Sequence, residues 1–201
     1  MDWSGHLSSL LIAAAWGYLC GSVPFGLVLT RLFGLGDIRQ IGSGNIGATN
    51  VLRTGRKGVA ALTLLLDAAK GTLAVLVARS LGGELAAAVA GVAAFAGHVA
   101  PVWLKFRGGK GVATFLGMLF GLSWPAGLAF AAVWLGMAAA FRISSLSAMT
   151  AAVLASTVAA VFAPAPTAIA VAVMAAAIFF THRANIERLM RGTEPRIRLS
   201  S

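Results

Sequence analysis

VATFLGMLFGLSWPAGLAFAAVWLGMAAAF, residues 112–141, runs for thirty residues without a charge. One α-helix crosses the hydrocarbon layer in about 20 residues. The stretch is too long for one crossing and too apolar for water. Ser123-Trp124-Pro125 falls inside it and is a natural turn, so it predicts two helices, the first of them short.

The rest of the chain repeats this pattern on both sides. Downstream, Ile143 to Phe162 makes another crossing, Ala163-Pro164-Ala165-Pro166 turns, and Thr167 to Thr181 makes a short last one. Upstream lies the tight basic loop Lys105-Phe106-Arg107-Gly108-Gly109-Lys110, preceded by the apolar run Leu85 to Leu104. A short connection, Arg79–Glu84, joins that run to Val59–Ala78, which only Asp67 and Lys70 interrupt. The first span runs from about Leu7 to Thr30, too long and without the basic start of a signal-peptide core. The reading is all-α: a polytopic integral membrane protein of seven transmembrane helices, or of five or six if a short segment is re-entrant. Composition agrees, since 59% of the 201 residues are hydrophobic and only 11% are charged, against roughly a quarter charged in a water-soluble domain.

Charge placement sets the orientation. With the N-terminus outside, the 31–57 loop, the 105–110 loop, Arg142 and the tail after Phe180 are all cytoplasmic. They hold fourteen of the sixteen Lys and Arg residues, leaving Arg79 outside and Lys70 in a span. That is the expected cytoplasmic excess of basic residues. The expected organisation is a single transmembrane domain, 1–182, with motif loops at about 31–58, 105–111 and 142–147, and a basic cytoplasmic tail, 183–201. The tail, with Arg183, Arg188, Arg191, Arg196 and Arg198, reads as a helix lying on anionic lipid.

The net charge of +10 implies anionic partners, meaning phospholipid headgroups or phosphorylated substrates; nothing points to nucleic acid. The loop Gly42-Ser43-Gly44-Asn45-Ile46-Gly47-Ala48-Thr49-Asn50, followed by Arg53, Arg56 and Lys57, combines small residues, hydroxyls, amides and nearby charge. Its backbone can come close to an anion. By letters it contains G-x-G-x-x-G, but no strand precedes it, so the dinucleotide reading fails. Gly108-Gly109-Lys110-Gly111 lacks the first glycine and the final Ser/Thr of a P-loop. Lys57-Gly58-Val59-Ala60 and Lys110-Gly111-Val112-Ala113 form a local repeat, each opening a helix whose N-terminus faces the basic side.

Asp67 and Lys70 share one face of a helix inside the membrane, where charges are paired or functional. His98 and His182 are the candidates for a general base or a phosphate ligand, with Arg183 and Asn185 beside His182. His182 to Glu187 spells H-x-x-x-x-E, which differs in its acid from the H-x-x-x-x-D of the common glycerolipid acyltransferases. Three histidines and the single Cys20 make no ligand set, so no metal and no cofactor are expected. Cys20 is expected to pack.

These pieces together resemble the bacterial acyl-phosphate:glycerol-3-phosphate acyltransferases, the PlsY family, over almost the whole chain. Ile41-GSGNIGATN-Val51-Leu52-Arg53 with Asp67-Ala68-Ala69-Lys70-Gly71 is similar to the family's first motif. Gly97-His98-Val99-Ala100-Pro101-Val102-Trp103 with Phe106-Arg107-Gly108-Gly109-Lys110-Gly111-Val112-Ala113-Thr114 is similar to its second. Arg142 with Ser145-Leu146 resembles the degenerate third, and Thr181-His182-Arg183-Ala184-Asn185-Ile186 its C-terminal segment. The resemblance implies transfer of a fatty acyl group from acyl phosphate to the sn-1 hydroxyl of glycerol 3-phosphate, giving lysophosphatidic acid and phosphate. It implies a multi-pass protein of the bacterial inner membrane that does not use acyl-CoA or acyl carrier protein directly; a monomer surrounded by lipid is expected. The rival reading is a secondary transporter of a phosphorylated metabolite.

Acyl phosphate carries a good leaving group, so the site must orient a hydroxyl and neutralise two phosphates. The residues expected to do this are Ser43, Arg53, Lys110, Ser145, His182 and Asn185. Gly44, Asn45, Gly47, Thr49, Asn50, Lys105, Arg107, Gly108, Gly109, Gly111, Arg142 and Arg183 are expected to bind substrate. Backbone N–H groups of Gly44, Gly47, Gly108 and Gly109 are expected among the donors, and Asp67, Lys70 and His98 are expected to support the site. The general base is His182 or, by the route the family offers, a phosphate oxygen of the substrate.

Overall fold

The structure, a computed structural model, describes residues 3–197, with side chains from Leu7 onward. Arg198 lies outside the described residues. Nine α-helices follow one another among them: α1 (Trp3–Gly21), α2 (Phe25–Leu32), α3 (Ala48–Leu52), α4 (Lys57–Val99), α5 (Val112–Leu122), α6 (Trp124–Phe141), α7 (Ser144–Phe162), α8 (Ala165–Thr181) and α9 (Arg183–Met190). Short 3-10 turns at Ile38–Gln40 and Val102–Leu104 complete the described secondary structure.

Helix breaks fall where backbone chemistry requires them. The first span is not one helix, as the apolar run suggests: Pro24 cannot donate to the ladder, and the chain restarts as α2 at Phe25. α4 is broken at Gly83, which adopts φ 71 and ψ −161, open to glycine alone. The two limbs fold back on one another. Lys70 meets His98 across the hairpin, and a Cβ at Gly91 would sit 3.4 Å from Val75. Ser123 is extended between α5 and α6, and Pro125 stands in the first turn of α6, where its missing N–H costs nothing. α8 and α9 meet at 58° around His182.

Small residues let the helices approach backbone to backbone. A Cβ on Gly17 would lie 2.2 Å from Ala90 O, one on Gly21 1.9 Å from Ala94 O, and one on Gly117 1.8 Å from Ala68 O. α1 thus packs on the second limb of α4, and α5 on the first. The core is continuous from there, with Phe115 edge-on to Phe95 and Phe130 at centroid distances of 6.5 and 5.6 Å. The buried alanines of α7 (Ala148, Ala151, Ala152, Ala155, Ala159) belong to the same core.

Large apolar side chains face outward in number, among them Leu11, Ile12, Leu65, Leu135, Val161, Ile169 and Phe180. Four segments are long and apolar enough to cross a membrane: Leu7–Leu32, Lys57–Leu104, Trp124–Phe141 and Ser144–Phe162. A fifth joins them if α8 and the bent α9 count as one. α5 has only 11 residues. The protein is therefore an all-helical membrane protein with four or five clear spans by length, where the sequence suggests seven, or five or six with a re-entrant segment.

Candidate active site

At one end of the bundle, four separate segments converge: the loop before α3, the loop before α5, the start of α7, and the α8–α9 corner with the tail behind it. Hydrogen bonds join them in pairs. Thr49 Oγ1 lies 3.3 Å from Ser144 Oγ. Thr181 Oγ1 donates to Lys110 O at 3.1 Å. Lys110 Nζ donates to Asn185 Oδ1. Of the six residues expected to carry the chemistry, Lys110, Ser145, His182 and Asn185 gather here, and the charge of Arg53 is near enough to act on Lys110.

The member the sequence did not announce is Glu194. Its carboxylate accepts from Ser145 Oγ at 2.7 Å, from Asn185 Nδ2, and from Arg188 Nε at 2.7 Å. Burial would push this carboxyl up, but the three hydrogen bonds hold it below its ordinary value, so it is an anion seated among donors. The tail is therefore not a plain basic helix on lipid. It turns at Gly192, inserts Glu194, and ends with Ile197 N donating to Arg142 O at 2.6 Å. The available signal was an acidic residue framed by Gly192 and Pro195 in a tail otherwise rich in arginine.

Burial and neighbouring charges shift both Lys110 and His182. Burial, with help from Arg188 and Arg53 and against the pull of Glu194, lowers the Lys110 ammonium to about 8. His182, one residue past the end of α8, is 2% exposed. Its Nδ1–H donates to Ile178 O at 2.8 Å, leaving the Nε2 lone pair as the basic position. Burial first, then the charge of Lys110, holds this imidazole down to about 4 despite the Ile178 bond.

The loop before α3 is organised by Asn50, which is 2% exposed. Its Nδ2 donates to Ile38 O, Ile41 O and Asn45 O at 2.8–3.0 Å. Its Oδ1 accepts from Ser43 N at 3.1 Å and Arg53 Nη1 at 3.2 Å. Asn50 is thus the hub of the loop and has no capacity left for a substrate. Ser43 and Arg53 are exposed on that hub.

The backbone donors expected from four glycines are engaged inside the protein. Gly44 N donates to Ile41 O, Gly108 N to Val99 O, and Gly109 N to His98 O. Gly47 N donates to Asn45 Oδ1 at 2.9 Å, so Asn45 also serves the loop. The glycines are there for turns and close approach. Lys105 and Arg107 are exposed on the neighbouring turn. Arg183 stacks on Phe180 at 4.9 Å and donates to its carbonyl. Gly111, with φ 83, starts α5. Asp67, Lys70 and His98 lie buried beneath the 105–111 loop.

An apolar groove of about 530 Å³ runs along α7 from Leu146, the residue after Ser145, to Thr157, with Val133 of α6 and Phe179 of α8 as its walls. A basic, hydroxyl-rich cluster at the end of an apolar helical bundle is chemistry suited to a phosphorylated amphiphile.

Comparison with known proteins agrees. The glycerol-3-phosphate acyltransferase family profile matches residues 11–192. The glycerol-3-phosphate acyltransferase of Mesorhizobium japonicum is 60% identical over 189 residues, 94% of this chain and 96% of that one. That of Caulobacter vibrioides is 60% identical over 192 residues, covering 94% and 88%. The fold resembles that of PlsY (YgiH), an integral membrane glycerol 3-phosphate acyltransferase. The TM-score is 0.89 with 39% identity to its glycerol 3-phosphate form, covering 94% of this chain and 95% of that one. To its lysophosphatidic acid form the TM-score is 0.88, with 38% identity and the same coverage of 94% and 95%. The chain belongs to the glycerol-3-phosphate acyltransferase family.

Proposed function

We propose that this chain transfers a fatty acyl group from acyl phosphate to the sn-1 hydroxyl of glycerol 3-phosphate, the first acylation of phospholipid synthesis. The observation that carries it is the meeting of Lys110 with Asn185, and of Asn185 with Ser145 through Glu194, at the corner that begins with His182. Lys110, Arg53, Ser43, Ser145 and Asn185 hold the phosphates, and the acyl tail lies along α7, where Leu146 to Thr157 spans about 16 Å. The hydroxyl oxygen attacks the acyl carbonyl carbon, the carbon–oxygen bond to phosphate breaks, and inorganic phosphate leaves. The hydroxyl proton goes to His182 Nε2 or to a phosphate oxygen. Orientation and charge neutralisation supply the catalysis.

Seven crossings, with the N-terminus outside, support a cytoplasmic site in the bacterial inner membrane. The two limbs of α4 count separately in this topology, and α5 makes a short crossing. The protein works as a monomer in lipid. The transporter reading has little to stand on: the charges inside the bundle, Asp67 and Lys70, neutralise each other at 2.7 Å.

Donor choice tests the proposal. Purified protein is expected to acylate glycerol 3-phosphate from palmitoyl phosphate and not from palmitoyl-CoA. Equal use of both donors would overturn the acyl-phosphate assignment.

A further inference from the structure

A buried polar cluster underlies the basic loop, and the acyl-transfer chemistry gives it no task. Asp67 and Lys70 stand one turn apart on the first limb of α4, and His98 faces them from the second. Their side chains are 2%, 4% and 4% exposed. Lys70 Nζ lies 2.7 Å from Asp67 Oδ1, 2.9 Å from His98 Nδ1 and 2.7 Å from Val23 O. An ammonium has three protons and no lone pair. Toward His98 it can only donate, so His98 Nδ1 is an acceptor and the imidazole proton sits on Nε2.

That edge of the ring faces the loop. A Cβ on Gly109 would lie 2.2 Å from His98 Nε2. One on Gly108 would lie 2.1 Å from His98 O and 2.6 Å from Pro101 Cδ. Both glycines also donate their N–H groups to the end of the same limb, at Val99 O and His98 O. The loop that carries Lys110 therefore rests directly on the His98 ring, with no space between.

We propose that Asp67, Lys70 and His98 form a positioning strut. Lys70 fixes the tautomer and rotamer of His98, the ring sets the height of Gly108-Gly109, and the loop thereby places Lys110 for the phosphate of glycerol 3-phosphate. This rests on the acyltransferase reading above. A pair of charges inside an apolar bundle is costly and contributes little net adhesion, whereas a ring held by the Lys70 hydrogen bond gives a loop a fixed floor.

The test is steady-state kinetics of the full chain in detergent, varying glycerol 3-phosphate and palmitoyl phosphate in turn. His98→Ala is expected to raise KM for glycerol 3-phosphate about tenfold, with kcat and KM for palmitoyl phosphate changed by less than about twofold. Gly109→Ala is expected to do the same, because its methyl lifts the loop off the ring. The double variant is expected to be no worse than Gly109→Ala alone, because the clash disappears with the ring. Additive effects, or lower thermal stability with an unchanged KM, would overturn the strut. If His98→Ala does not fold, His98→Gln is used, and the same selective KM rise supports the strut while an unchanged KM overturns it. Wild-type protein that makes no lysophosphatidic acid would overturn the acyltransferase reading as well, and is distinguished before any variant is compared.

Discussion

Glu194 Oε1 accepts the hydroxyl of Ser145 at 2.7 Å across 49 residues of sequence. The same carboxylate is bonded by Asn185 and Arg188, so one tail residue ties the start of α7 to α9. Glu194→Gln keeps the shape and removes the charge that these donors serve. It is expected to lower kcat/KM about tenfold, with the protein still folded by size-exclusion chromatography. Wild-type kinetics would show that the tail contact is incidental.

Lys110 gives a pH dependence. Its ammonium, at about 8, must on the proposed role be protonated to hold phosphate. The ordinary lysine value is 10.5, so the charge is lost earlier than in an exposed lysine. As pH rises through about 8, kcat/KM for glycerol 3-phosphate should fall, since this ratio reports the free enzyme. Lys110→Arg, which keeps its proton throughout, should be slower but flat over the same range. Lys110→Ala should lose about a hundredfold or more in rate while remaining folded.

His182 donates through Nδ1 to Ile178 O and is held down to about 4 by burial. It is neutral at pH 7 and a weak base. His182→Gln separates the two destinations of the hydroxyl proton. Turnover near wild type assigns the proton to a phosphate oxygen. A fall of about a hundredfold or more assigns it to His182.

Helix contact makes a stability prediction. A Cβ on Gly117 would sit 1.8 Å from Ala68 O, while one on Gly136 meets nothing within 4 Å. Gly117→Ala should force α5 off α4 and reduce the yield of folded protein. Gly136→Ala should leave melting in detergent unchanged or slightly raised. Equal tolerance at both positions would contradict the packing of α5 against α4.

Much of this was readable from residues. Hydropathy placed the helical runs, and the Gly42–Asn50 and Lys105–Lys110 loops stood out as polar segments between them. Four things were not readable. Pro24 sits inside an apolar run, so a length count passes over the break it causes. The backbone of Gly44, Gly47, Gly108 and Gly109 looks free in a sequence, yet each N–H has a partner set by tertiary approach. Asn50 reads as a ligand because amides bind phosphate, but three carbonyls of its own loop take its donors. Glu194 was hidden by the surrounding arginines, since charge counting averages over the single residue that matters.

The most direct measurement is phosphate release by purified protein in detergent with palmitoyl phosphate and glycerol 3-phosphate. Release that requires both substrates, with lysophosphatidic acid appearing in equal amount, is the predicted result. Release without glycerol 3-phosphate, or none from folded protein, would contradict the account.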